Sequence, residues 1–180
     1  RMLSDPKLNA FIENFSGQWL QLRDLKLTSP NPDQFPEFSD SVRVSMIRET
    51  EEFFKYLLME NLPVDTLLSA NFSMVNQELA KFYGLPGNFT EEFQRVVFTG
   101  EDLAKRGGIL THGSILAITS NPTRTSPVKR GKWVLENLLA APPREPPPNV
   151  KELEEPITKG NRVLTLREQM AQHSKNPMCY

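Results

Sequence analysis

Apolar side chains recur at intervals of three and four residues through most of this chain, and that spacing confines it to helices packed against one another. Leu8, Phe11, Ile12, Phe15, Trp19 and Leu22 form one stripe, with Asn14, Gln18 and Gln21 outside it. Asp5-Pro6 ahead of it supplies a cap and a first-turn proline. Val42, Met46, Phe53 and Leu57 mark the inner face of a second long helix, flanked by Ile47, Phe54 and Leu58. Ser39 or Asp40 caps it, and Arg48/Glu52 and Glu51/Lys55 stand four apart as surface pairs. A short helix over 64–69 is followed by another over 73–83, with Val75, Leu79 and Phe82 inward and Gly84 as its stop. Gly107-Gly108 opens an apolar helix reaching Ile118. Ser126-Pro127 starts one that runs to Ala140, with Val128, Leu135, Leu138 and Leu139 inward and Gly131 allowing close packing. Only Phe93-Gln94-Arg95-Val96-Val97-Phe98 has the β-branched and aromatic content of a strand. The expected fold is mainly α: an irregular multi-helix bundle with at most a short β-hairpin or extended segment near 93–98.

Residues 1–100 read as an N-terminal helical domain and 101–141 as a helix-loop-helix that completes the core. Residues 142–180 read as a proline-rich spacer and a C-terminal helix. Pro142-Pro143-Arg144-Glu145-Pro146-Pro147-Pro148 fits neither helix nor central strand and is expected to be extended. The polar stretch 149–161 is expected to be irregular. Thr165-Leu166-Arg167-Glu168 is a capping box for a last helix ending near His173 or Ser174.

Composition narrows the function classes. A net charge of −1 gives no broad electrostatic case for nucleic acid or an anionic membrane. No apolar run approaches the roughly 18 residues of a membrane span. The opening residues Arg1 to Pro6 lack the apolar region of a signal peptide, so the sequence reads as a piece of something longer. Cys179 stands alone, so no internal disulfide forms, and with His112 and His173 it is too little for a zinc site.

Nucleophilic chemistry finds little support. His112 and Ser114 lie two apart and diverge on a helix, and no Gly-x-Ser-x-Gly elbow is present. A hydrolase would have to draw its base from His173, beyond the spacer. The acidic residues, Glu49, Glu51 and Glu52 among them, read as solvated helix faces, and Gly107-Gly108 does not complete a phosphate loop. The loop from Ser120 to Arg130 is the richest candidate. Arg124, Lys129 and Arg130, the hydroxyls of Thr123, Thr125 and Ser126, and a helix start together suit a carboxylate, a phosphate or a partner's acidic side chain. The competing reading is internal: Arg124 buttresses the loop while the hydroxyls cap turns.

Several runs carry a family resemblance: Phe15-Ser16-Gly17-Gln18-Trp19-Leu20, the segment from Asn71 to Gly84, Arg106-Gly107-Gly108-Ile109-Leu110, and the segment from Thr119 to Gly131. They resemble adjoining domains of unknown function from large cytochrome-c-linked proteins of planctomycetes and related bacteria. The resemblance spans nearly the whole chain and is most specific over 119–139. Such relatives continue into Asn-Pro-x-Cys-x-x-Cys-His, the attachment sequence of a c-type haem, and Asn176-Pro177-Met178-Cys179-Tyr180 matches its beginning. The resemblance therefore implies that Cys179 corresponds to the first haem-linking cysteine of an incomplete motif. Haem c then belongs to the parent protein and no cofactor to this piece.

It further implies an exported, periplasmic protein in which this region is a non-catalytic scaffold positioning a downstream haem domain for electron transfer. Its partners would be other domains of the same polypeptide or an electron-transfer partner. Thr123, Arg124, Thr125, Ser126 and Arg130, with His112, would form the docking or buttressing point. The alternative is a catalytic domain, hydrolase or oxidoreductase, acting on polymeric carbohydrate with His112 and an acidic residue lining a cleft. A carbohydrate-binding module would need exposed coplanar aromatics, whereas Trp19 and Trp133 sit on or beside apolar stripes.

Overall fold

The long helix α2 (Asp40–Met59) is the axis of the first of two compact units, which spans residues 1–142; residues 143–180 form the second. The computed structural model describes residues 2–144, 158–159 and 162–175. α2 starts where the Ser39 hydroxyl accepts the Val42 N–H at 3.1 Å, one of the two caps anticipated. Its inner face enters two apolar clusters. Phe53 and Leu57 pack with Leu20, Leu22, Leu67, Phe72, Ile109, Ile115 and Trp133, while Val42 and Met46 pack with Leu25, Val75 and Leu79. Between the two clusters, on the same face, lie two buried polar residues, Glu49 and Thr50.

α1 (Leu8–Trp19) packs on α2. It ends before Leu22, because Gln21 takes a left-handed conformation (φ 57°) and a 3-10 turn over Leu22–Leu27 carries Leu22 and Leu25 into the core. The expected stripe is only partly buried. Ile12 is inside, while Phe11 and Phe15 are 50% and 43% exposed and stack in a ladder that continues to Phe54, with centroids 5.5 and 5.6 Å apart.

The helix expected over 73–83 divides. α3 (Thr66–Ser69) is followed by strand β1 (Phe72–Val75), and α4 (Gln77–Tyr83) begins only after the Asn76 side chain caps the Leu79 N–H at 3.0 Å. Gly84 closes α4 at φ 68°. Strand β2 (Gln94–Val97) confirms the extended reading of 93–98, and its antiparallel partner is β1, with Phe72 opposite Val97. Tertiary pairing thus overrides the helical spacing of 73–75.

After α5 (Gly100–Lys105), Gly107-Gly108 does not open a helix as expected. Gly108 sits at φ 60° against α3, donating its N–H to the Ala70 carbonyl at 3.0 Å, and a Cβ there would collide with the Leu68 backbone. A 3-10 turn over Ile109–Thr111 leads into α6 (Gly113–Ile118). A tight hairpin, β3 (Ser120–Asn121) with β4 (Arg124–Thr125), then precedes α7 (Pro127–Trp133), which has Ser126 as its cap and proline in the first turn. A π-helical turn over Val134–Leu138 follows, and its Asn137 carbonyl accepts the Trp19 indole N–H at 2.7 Å. Two details differ from expectation. Val128 and Leu139 are exposed, and a Cβ on Gly131 would meet nothing within 4 Å, so that glycine serves no close packing.

In the second unit, β5 (Thr158–Lys159) pairs with β6 (Arg162–Val163), where irregular chain was expected. α8 (Leu166–His173) opens with the anticipated capping box, in which Glu168 accepts from the Thr165 N–H and hydroxyl at 2.8 and 2.9 Å. Most of the proline spacer and Cys179 lie outside the described residues. The fold is mainly α, as expected, with short antiparallel pairs in three places among the described residues instead of one at most.

The expected Glu51/Lys55 pair is replaced by Lys55 with Glu52 at 3.7 Å. Burial first, and then the negative charge of Glu13, push the Glu51 carboxyl from its ordinary 4.5 up to about 7. The unfolded chain releases that proton near 4.5 while the folded chain retains it to about 7, so this group lowers stability as pH rises across that window. Discounted for partial solvent screening, the penalty is roughly 1 kcal/mol at pH 8. Glu51→Gln should raise the melting temperature at pH 8 by about 2–4 °C and leave it unchanged at pH 4, as read by thermal denaturation across the pH range.

Candidate functional site

The polar residues between the two apolar clusters form a closed relay. On α2, the Glu49 carboxylate accepts the Ser73 hydroxyl proton at 2.7 Å from β1 and the Tyr83 phenol proton at 2.6 Å from the end of α4. The Tyr83 oxygen in turn accepts the Gly113 N–H at 3.1 Å. Thr50, the next residue of α2, stands 3.0 Å from His112 Nδ1 and 2.7 Å from the Ser114 hydroxyl. His112 Nε2 lies 3.4 Å from the Ser73 hydroxyl.

The protonation states follow from the surroundings. Burial pushes the His112 imidazole below its ordinary 6.5; Glu49 opposes that shift and Arg106 adds to it, leaving the ring neutral. Burial, then the charge and hydrogen bond of Glu49, hold the Tyr83 phenol well above its usual range. Since Ser73 gives its proton to Glu49, it can only accept from His112, so the imidazole hydrogen is on Nε2. Nδ1 then accepts from Thr50, and Thr50 accepts from Ser114. Every side-chain donor of the relay thus points toward one carboxylate.

A serine, a histidine and a carboxylate thus meet, but in an order that does not make a nucleophile. In an acyl-transfer triad the acid orients the imidazole and the imidazole withdraws the serine proton. Here the acid holds the serine proton and the imidazole presents an N–H to the serine oxygen. The crevice bordered by Ser73, Glu49, Arg106, Gly108 and His112 also encloses no space for a water molecule. The cluster fixes structure.

On the other face of Tyr83 and Gly113 a cleft of about 590 Å³ opens. Its floor is apolar, built from Met46, Phe82, Leu116, Ala117 and Ile118, with Phe35 and Phe38 contributed by the loop after the Leu22–Leu27 turn. Arg106, Arg124, Lys129 and Arg130 also line it, and no carboxylate does so among the described residues. The Arg106 guanidinium stacks on the Tyr83 ring at 3.7 Å from the centroid. Arg130 donates to the hydroxyls of Thr119 at 3.4 Å and Thr125 at 3.1 Å. The β3–β4 hairpin is tied down through Pro122, whose carbonyl accepts the Asn31 N–H at 2.9 Å.

Of the residues singled out in the sequence, Arg124, Thr125 and Arg130 line this cleft. Thr123 is exposed at the hairpin tip outside the lining, and Ser126 engages its hydroxyl in capping the Lys129 N–H at 3.3 Å. His112 belongs to the buried relay and not to the cleft, so His112 and Arg124 do not converge on a common pocket. Cys179 lies outside the described residues.

Sequence reasoning missed Glu49, Thr50, Ser73, Tyr83 and Arg106, and Glu49 is no solvated residue but one of the most buried in the chain. The signal was present: Glu49 and Thr50 continue the helical spacing of Val42, Met46, Phe53 and Leu57 and so fall on the buried face. Among the described residues, no cluster of three His, Cys, Asp or Glu side chains is placed to hold a metal ion. Nor is any helix there long and apolar enough to cross a membrane.

Residues 1–85 match the family model described as PSD4, protein of unknown function (DUF1592), and residues 106–180 match PSCyt3, protein of unknown function (DUF1588). The chain therefore joins two adjacent domains of unknown function from families known as planctomycete cytochrome c-type domains. No curated protein and no solved structure matches it. The relay crosses between the two matched segments. Glu49, Thr50, Ser73 and Tyr83 come from the first, and His112, Gly113 and Ser114 from the second.

Glu49→Gln places an amide donor against the Ser73 or Tyr83 donor, and urea unfolding should register a loss of about 2–3 kcal/mol. His112 supplies a pH signature. As pH falls below 6.5 the unfolded chain takes up a proton that the folded ring resists, so stability falls on the acid side. Measured in a Glu51→Gln background, where the opposing titration of Glu51 is removed, that decline should be present with His112 and absent in His112→Gln.

Proposed function

We propose that this chain is a non-catalytic structural region of an exported multidomain protein linked to a c-type cytochrome, and that it positions a downstream haem domain for electron transfer. The observation that carries this reading is the buried relay. Among the described residues, the one place where serine, histidine and carboxylate meet has its protons committed internally and excludes water, while the described residues that line the open cleft include no carboxylate or histidine for acid–base chemistry. A mount for another domain needs rigidity, and the relay supplies it by joining α2, β1, α4 and the start of α6 in one hydrogen-bonded set.

The family match supports the cytochrome context. This chain's own residues do not complete a haem site. Cys179 is its one cysteine, and the second cysteine and histidine of the attachment motif are not in the sequence. The haem belongs to the parent protein, with export to the periplasm, where such haems are attached.

The test uses the longer parent protein. It should show a Soret band after periplasmic expression. Glu49→Gln should slow reduction of the haem by an external donor at least severalfold, with the spectrum and midpoint potential unchanged. A parent protein without covalent haem would overturn the reading, as would His112-dependent turnover of a polymeric carbohydrate by this chain.

A further inference from the structure

We propose that the seam between α1 and α2 is a proton-operated latch: the first two turns of α1 stay docked on α2 while Glu51 holds a proton and come away as that proton leaves. The seam is thinly built on the α1 side. Within α1 only Ile12, Ser16 and Gly17 are buried, so Ile12 is the one apolar side chain that the first two turns place fully inside. The start of α1 is weak as well, since no side chain caps it and no acidic residue stands in its first turn. A helix this short with so little tertiary packing opens at low cost. Its far end is held differently. The Trp19 indole N–H reaches the Asn137 carbonyl at 2.7 Å, and Leu20 and Leu22 beyond it are buried in the core. Motion is therefore confined to the N-terminal turns.

The charges at the seam make this contact sensitive to protons. A crevice of about 100 Å³ between the helices is lined by Glu13 from α1 and by Arg48, Glu51, Glu52 and Lys55 from α2. Both cations lie closer to Glu52 than to Glu51. Arg48 is 2.9 Å from Glu52 and 3.9 Å from Glu51, and Lys55 is 3.7 Å from Glu52. Only 12% of the Glu51 side chain is exposed, so water does little for its charge once formed. Glu13 from α1 and Glu52 oppose that ionisation, while Arg48 and Lys26, the latter from the Leu22–Leu27 turn, favour it. Glu13 and Glu51 belong to opposite helices, so parting the helices relieves their repulsion and returns Glu51 to water together. Docked, Glu51 keeps its proton to about 7; undocked, it releases it near 4.5. Opening therefore grows across that window and levels off above it.

Native-state hydrogen exchange on the full chain in low urea, followed from pH 5 to pH 8, tests the latch. The protection of the Ile12, Glu13 and Asn14 amides should fall about tenfold between pH 5 and pH 7 and by less than about twofold from there to pH 8. That opening should depend little on urea, as a local one does. The amides of Thr50 and Phe53 in α2 should stay better protected at every pH and open only with the urea dependence of global unfolding. In Glu51→Gln the pH dependence of the α1 amides should vanish, and in Glu13→Gln it should shrink. Neither substitution touches a hydrogen bond of the buried relay, so both variants should fold. If Ile12 to Asn14 exchange with the same protection and urea dependence as Thr50 and Phe53, α1 has no opening of its own and the proposal is wrong. A pH dependence that survives Glu51→Gln belongs to another group and overturns it equally. The readout involves no haem, so its outcome is separate from that of the cytochrome linkage.

Discussion

The buried Glu49 carboxylate is the constraint around which the other parts of the first unit are arranged. A lone carboxylate out of water costs several kcal/mol, and it persists only where donors from the surrounding structure converge on it. Here Ser73 and Tyr83 do so directly, and His112, Thr50 and Ser114 are aligned behind Ser73. Because each hydroxyl, and the neutral imidazole as a whole, has one proton to give, the orientation of every member follows from the first. A shift of α2 by one turn, or of β1 by one residue, would leave donors without acceptors. Apolar packing alone tolerates such shifts more readily, so the polar set selects one arrangement among the compact ones available.

Glycine makes this possible at Gly113. A Cβ there would lie 2.5 Å from the Tyr83 hydroxyl and 2.8 Å from the Met46 side chain, too close for either to stay. With only hydrogen at that position, the backbone N–H reaches the phenol oxygen and Tyr83 stands between the relay and the cleft. Its hydroxyl faces Glu49 while its ring carries Arg106. The inert interior and the open, charged cleft therefore share one side chain.

Much of the helical framework was legible from local signals. The α2 stripe, its Ser39 cap, the Gly84 stop, Ser126-Pro127 and the Thr165–Glu168 box each state a preference that needs no distant partner. Where distant partners decide, reading failed. Ser73 and Val75 fit a helix by spacing but became a strand because β2 was available to pair with them. Gly107-Gly108 suggested a helix opening, yet its role is close approach to the backbone at Leu68, something only the tertiary fold reveals. Glu49 was the informative error. A glutamate among neighbouring glutamates looks solvated by composition, although its phase along α2 placed it inside. In the candidate site, charge and hydroxyl content singled out the hairpin, while Arg106 and the apolar floor came from segments remote in sequence.

The relay also bears on how such proteins can be inherited. Its carboxylate is encoded in the stretch matched by one family and three of its other members in the stretch matched by the next, so the seam between the two families runs through the middle of a shared interior. Gene rearrangement that parted them would strand an acidic group among partners encoded elsewhere. For this chain, the pair is the smallest unit that shuffling can move intact.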